Sequence, residues 1–251
     1  MPLTKKIYKE MITDASNQQK KLAVLIDPDH INNEQLQRIV DLSNQANISY
    51  FFIGGSLIVK DCLDEVLTYI KSNSQIPTII FPGNNLKINE KADGLLFLSL
   101  ISGRNPEYLI GKHIVSAPYL KQSSIETIST GYMLIESGQP TSVSYVSHTQ
   151  PIPADKPDIA YCTAAAGELL GMQLIFMDAG SGAKNPISTN MIKKVKSDLE
   201  IPLIIGGGIQ SIDKIKANFE AGADIQVIGN YIEQNPEFIL ELKKLSYSAT
   251  R

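Results

Sequence analysis

Eight short apolar runs recur along the chain, many of them stopping at a glycine or an aspartate. They are Leu22 to Ile26, Tyr50 to Ile53, Thr78 to Phe81, Leu95 to Leu98, Tyr132 to Ile135, Leu174 to Met177, Leu203 to Ile205 and Ile225 to Ile228. Several are apolar at every position. Strands covered on both faces read this way, as in a parallel sheet wrapped by helices. The stretches between them suit helices. Asn32 to Gln45 puts Leu36, Ile39, Val40 and Leu42 on one face, and Ser211 to Glu220 does the same with Ile212, Ile215 and Phe219. Asn190 to Leu199 and Pro236 to Leu245 follow suit. Eight strands with helical crossovers predict a (β/α)8 TIM barrel, for which 251 residues is an ordinary length. A doubly wound open sheet is the competing architecture.

Two connections break the pattern. The segment from Phe81 to Gly94 is barely long enough for a crossover helix with its turns, so the helix after the third strand is expected to be shortened or missing. Ser137 to Asp158 is long and carries Pro140, Pro151, Pro153 and Pro157. Long ordered loops are often functional, although subunit contacts are an equal use for one. No second domain is visible, and residues 1–251 read as one barrel domain.

A chain of this size buries a core large enough to need no disulfide or structural metal. Its two cysteines, Cys62 and Cys162, lie far apart and read as ordinary thiols. A net charge of −3 argues against a nucleic-acid partner. No apolar stretch resembles a signal peptide or a transmembrane segment, so the expected location is the cytoplasm.

The chemistry concentrates at the strand ends. Gly206-Gly207-Gly208 follows the seventh run and Gly229-Asn230 follows the eighth. Barrels commonly hold a phosphate between these two loops, because glycine lets backbone N–H groups approach the anion closely. Asp178 ends the sixth run and precedes Ala179-Gly180-Ser181-Gly182; a carboxylate there reads as catalytic, with loop bracing as the alternative. The first run ends in Asp27-Pro28-Asp29-His30. Carboxylates at the rim suit a hard cation such as Mg²⁺, with Ser56 of Gly54-Gly55-Ser56 as a further oxygen ligand. Asp29 reads better as a helix N-cap. In Ser102-Gly103-Arg104-Asn105, Arg104 is a candidate for a diphosphate or for a structural ion pair.

In their order and placement these motifs resemble the geranylgeranylglyceryl phosphate synthase family, which includes heptaprenylglyceryl phosphate synthases. The resemblance runs along nearly the whole chain, and Ser102 to Pro106 with the Ser137–Asp158 segment is similar to the larger, second group of that family. It implies an Mg²⁺-dependent prenyltransferase that joins sn-glycerol-1-phosphate to a long-chain prenyl diphosphate through an ether bond. Asp27 and Ser56 would hold the metal. Phe176, Met177, Asp178, Ala179, Gly180, Ser181 and Gly182, with Gly207, Gly208, Gly229 and Asn230, would hold glycerol phosphate. Asp178 would take the proton. The family often has tyrosine and glutamate where this chain has Phe176 and Asp178, which puts the detail of proton removal in question. A homo-oligomer, dimer or hexamer, is also implied. Read from the residues alone, another phosphate-binding barrel enzyme such as a sugar-phosphate isomerase, or a non-catalytic binder of a phosphorylated ligand, stays open.

Overall fold

A computed structural model describes residues 6–57, 59–60, 62–83 and 88–245. Its centre is a closed barrel of parallel strands in sequential order: β1 (Lys21–Ile26), β2 (Tyr50–Gly54), β3 (Thr78–Phe81), β4 (Gly94–Leu100), β5 (Glu126–Leu134), β6 (Leu174–Asp178), β7 (Leu203–Gly206) and β8 (Ile225–Ile228). β8 pairs back onto β1, with Ala23 opposite Val227. Closure excludes the doubly wound alternative, since an open sheet would leave two edges.

Around the barrel lie α2 (Asn33–Ala46), α3 (Leu63–Asn73), α4 (Lys112–Gln122), α5 (Ser142–Ser147), α6 (Pro157–Leu169), α7 (Thr189–Lys196), α8 (Ile212–Glu220), α9 (Asn230–Gln234) and α10 (Phe238–Leu242), with α1 (Lys6–Ser16) preceding β1. A π-helical turn, Glu107–Gly111, leads into α4. Among the described residues no helix stands between β3 and β4, as the short connection requires.

Strand alternation sorts the side chains into two cores. Ala23, Tyr50, Phe52, Phe81, Tyr132, Leu174, Phe176, Ile204 and Val227 fill the barrel. Val24, Ile26, Phe51, Ile53, Met177 and Ile205 face outward and pack under the helices. Asp27 continues the inward series of β1 and Asp178 that of β6, so both carboxylates emerge at the C-terminal mouth.

Three features depart from the sequence reading. The amino-terminal stretch forms α1, whose Ile7 and Met11 join the inner core. The amides of Ile7 and Tyr8 both donate to the Glu126 carboxylate at 2.8 Å, placing an anion at the helix N-terminus. β5 begins at Glu126, well before Tyr132; its first half, Glu126 to Gly131, carries one apolar side chain, Ile128, and so shows no apolar run. The Ser137–Asp158 segment contains α5, capped by Thr141 and Ser144 in a reciprocal capping box, and it adds a bridge between Ile135 and Ile152.

Candidate active site

At the C-terminal mouth lies a cavity of about 300 Å³. Asp27 and Ser56 reach it from the β1 and β2 ends, and Phe176, Asp178, Gly180, Ser181 and Gly182 from β6 and its loop. Gly207, Gly208, Gly229 and Asn230 complete the wall after β7 and β8. Met177 and Ala179 do not contribute side chains. Both are fully buried in the outer core, because the pleat that turns Phe176 and Asp178 inward turns Met177 outward.

The β6 and β7 loops meet closely. Gly207 has φ 81°, and a Cβ there would lie 2.7 Å from an Asp178 oxygen, so only glycine admits both the conformation and the approach. Ser181 Oγ donates to Asn230 Oδ1 at 3.0 Å, tying the β6 loop to the start of α9.

Asp178 is half-buried on the inner side of the cavity. Its Oδ2 accepts the Tyr132 hydroxyl at 2.6 Å and its Oδ1 accepts the Gly180 amide at 2.8 Å. Burial pushes its pKa above the ordinary carboxylate value, and the two hydrogen bonds pull partly the other way. Burial first, then the Asp178 charge and hydrogen bond, holds the Tyr132 hydroxyl protonated far beyond neutral pH.

On the opposite wall, Asp27 Oδ1 accepts the Asp29 amide and its Oδ2 lies 3.0 Å from His30 Nδ1. A Cβ on Gly55 would come within 2.4 Å of Asp27 Oδ2, so the β2 loop crosses directly against this carboxylate and brings Ser56 alongside. Glu233 of α9, which the sequence reading passed over, accepts the Asp27 amide at 3.1 Å. Burial raises its pKa, and the nearby Asp27 charge adds to the effect. Nothing local marks Glu233: it sits in a short polar helix and reads as a solvated residue.

Two expectations are corrected. Asp29 is not the N-cap of α2; Asn32 is, accepting the Gln35 amide at 2.9 Å. Asp29 instead accepts the amides of Val59 and Lys60 and holds the β2–α3 loop over the rim. Arg104 turns its guanidinium onto the carbonyl of Gly103 at 2.7 Å rather than toward the cavity or an acidic partner. The surrounding motif docks the β4 loop on the α5 segment: Asn105 donates to the Ser147 carbonyl, and a Cβ on Gly103 would strike Thr149.

A second, apolar cavity of about 70 Å³ opens beside the first. Phe81, Leu98, Leu100, Tyr108, Tyr132 and Val143 line it on the flank left without a helix after β3. Ser56 and Phe81 belong to both walls, so the two cavities share one junction. The rings of Phe81, Tyr132 and Phe176 pack edge-to-face there, with centroids 5.5 to 6.0 Å apart.

Comparison with known proteins points the same way. The chain is 49% identical over 244 residues to a geranylgeranylglyceryl phosphate synthase of Chitinophaga pinensis, covering 97% of each protein. It is 38% identical to the corresponding protein of Pyrococcus abyssi, covering 88% of each. Among solved structures, the (S)-3-O-geranylgeranylglyceryl phosphate synthase of Thermoplasma acidophilum, in complex with its substrate sn-glycerol-1-phosphate, superposes with a TM-score of 0.89 at 32% identity. That match covers 94% of this chain and 95% of that one. The PcrB family matches residues 15–245, and with this fold and this rim the chain belongs to it.

Proposed function

We propose that this chain is a prenyltransferase joining sn-glycerol-1-phosphate to geranylgeranyl diphosphate or a similar long-chain prenyl diphosphate, with release of diphosphate. The observation that carries the reading is the shared junction: a polar, glycine-walled cavity meets an apolar groove at Ser56 and Phe81. The two substrates have matching halves. The phosphate of glycerol phosphate suits the backbone N–H groups of the β7 and β8 loops. The prenyl tail suits the groove, where burial is worth ~0.8 kcal/mol per CH₂.

In the reaction the glycerol hydroxyl oxygen forms a bond to the allylic carbon as the carbon–oxygen bond to diphosphate breaks. The hydroxyl proton passes to Asp178. The carbon gains cationic character, so the proton can leave late, and a carboxylate of raised pKa is a suitable acceptor. Phe81, Tyr132 and Phe176 keep water from the reacting carbon at the junction. Holding both substrates in one geometry supplies a large part of the acceleration.

The cavity wall also supports an Mg²⁺ requirement. Asp27, Asp29, Asp178 and Glu233 line it, and none of the described residues lining it is a lysine or arginine. Two anionic substrates entering such a wall need a counter-charge. Asp27 and Ser56 would supply the hard oxygen donors that Mg²⁺ prefers. The chemistry Mg²⁺ supplies when bound is neutralisation of charge on the departing diphosphate.

No helix among the described residues is long and apolar enough to cross a membrane. Exposed Ile114 and Val115 on α4, and Leu169 and Leu170 at the end of α6, support a homo-oligomer. The deciding experiment incubates purified protein with Mg²⁺, labelled sn-glycerol-1-phosphate and prenyl diphosphates of several lengths. Label entering the organic phase is the expected result; its absence with every prenyl donor overturns the proposal.

A further inference from the structure

We propose that Tyr132 is a positioning residue for this reaction: its hydroxyl holds the Asp178 carboxylate in the orientation that receives the glycerol proton. The inference rests on the reading of Asp178 as the base.

Asp178 lies at the end of β6, and a short carboxylate there has rotational freedom unless something fixes it. Two donors do. The Gly180 amide of the following loop donates to Oδ1, and the Tyr132 hydroxyl donates to Oδ2 from β5, which pairs with β6 so that Tyr132 lies opposite Phe176 and Leu134 opposite Asp178. Each oxygen still keeps a lone pair for a substrate hydroxyl. No donor comes from Asp178's own strand, because the inward residue before it is Phe176, which carries no hydroxyl. Tyr132 brings one from β5 instead.

The tyrosine is itself well held. It is 4% exposed, and its ring packs edge-to-face on Phe81 and Phe176 at centroid distances of 6.0 and 5.6 Å. It lines the apolar groove, while its hydroxyl contacts a carboxylate of the polar cavity. One side chain thus fixes the base relative to the place where the prenyl donor would lie. Because its hydroxyl stays protonated, it donates to Asp178 throughout the working pH range and does not compete as a base. Of the groups facing Asp178, Tyr132 is the titratable one on β5. The Gly180 loop and Gly206–Gly207 of β7 present backbone, and Asp27, Asp29, His30 and Glu233 stand on the β1 and β8 side.

Tyr132→Phe removes only the hydroxyl and keeps the ring stack. With one donor lost, the carboxylate is less favoured in its charged form and less well aimed. The expected result is a kcat lower by about 10- to 100-fold, the range of a hydrogen bond to a charged group. KM for glycerol phosphate stays close to the parent's, and the acid limb of the kcat–pH profile moves to higher pH. Tyr132→Leu, which also removes the ring, should add a rise in KM for the prenyl diphosphate. Asp178→Asn is measured in parallel. If it loses activity while Tyr132→Phe keeps the parental kcat, or loses rate with an unmoved acid limb, the positioning role is overturned and the base survives. If Asp178→Asn keeps the parental kcat, Asp178 is not the base and both readings fall.

Discussion

Asp178 carries a conflict between stability and function within a single carboxyl group. Burial raises its pKa, so folding favours the protonated form. Stability from this group is therefore greatest at low pH and declines as pH rises from the ordinary carboxylate value through the raised one. The proposed base activity requires the ionised form and would climb through the same window. Asp178→Asn should separate the two effects. The Tyr132 hydroxyl can accept from the new amide while the Gly180 amide keeps its acceptor, so the site stays satisfied without a buried charge. Thermal melting at pH 8 is expected to show a higher Tm, about 2–4 °C for each kcal/mol gained. The same variant is expected to lose about 10²–10⁴-fold in kcat with little change in KM. A variant that melts lower and keeps its kcat would contradict both halves of the account. At Asp27 the expected outcome differs. Asp27→Ala removes the proposed cation ligand but none of the backbone amides of the β7 and β8 loops, so turnover should vanish while calorimetry still shows binding of glycerol phosphate. Both aspartates could be found from sequence because each ends an apolar run. Glu233 and Tyr132 could not: one lies in a short polar helix, the other is an inward aromatic like any core residue, and their roles follow from contacts across strands.

At the level of elements, the apolar runs disclosed the barrel because strands covered on both faces cannot tolerate polar outward residues. The same logic explains what stayed hidden. The start of β5 carries Glu126 and Thr130 facing the barrel floor, where α1 supplies the amides that make Glu126 acceptable. α1 itself is seen only once that floor exists, because its buried face is two residues, Ile7 and Met11. The α5 segment was legible as a long loop but not as a wall. Its position between the cavities gives a test of the groove. Val143 lines the groove from α5, outside the barrel sheet, so extra bulk there should narrow the channel with little strain on the fold. Val143→Trp is expected to slow reaction with the longest prenyl diphosphates by about tenfold, the effect of roughly 1.4 kcal/mol. Short donors and the KM for glycerol phosphate should be unaffected. A ladder of donors of increasing length measures this, and an equal loss at every length would place the tail elsewhere.

Across the whole molecule, charge is arranged against the substrates rather than for them. The chain carries a net charge of −3, and its cavity gathers Asp27, Asp29, Asp178 and Glu233 around the space that two anions must share. The two anions are met differently. In the proposed arrangement the phosphate of glycerol phosphate would face the glycine loops after β7 and β8, where oriented amides offer partial positive charge without an ion. In the proposed arrangement the diphosphate would face Asp27 and Ser56, where the carboxylate repels an anion and a single hydroxyl cannot offset it. Among the described residues no cluster of three or more acidic, histidine or cysteine side chains is arranged to hold a metal on its own. Mg²⁺ and diphosphate are therefore expected to bind as a pair, each completing the site for the other. Removal of divalent ions with a chelator should abolish binding of a non-hydrolysable prenyl diphosphate analogue and leave glycerol phosphate binding within about twofold, a change of only about 0.4 kcal/mol. Mg²⁺ titrated into the free protein should show weak binding that tightens once the analogue is present. Linkage demands that the analogue's affinity for the protein tighten with Mg²⁺ by the same factor. Calorimetry in both orders of addition measures the two factors, and tight Mg²⁺ binding to the free protein would refute the paired arrangement.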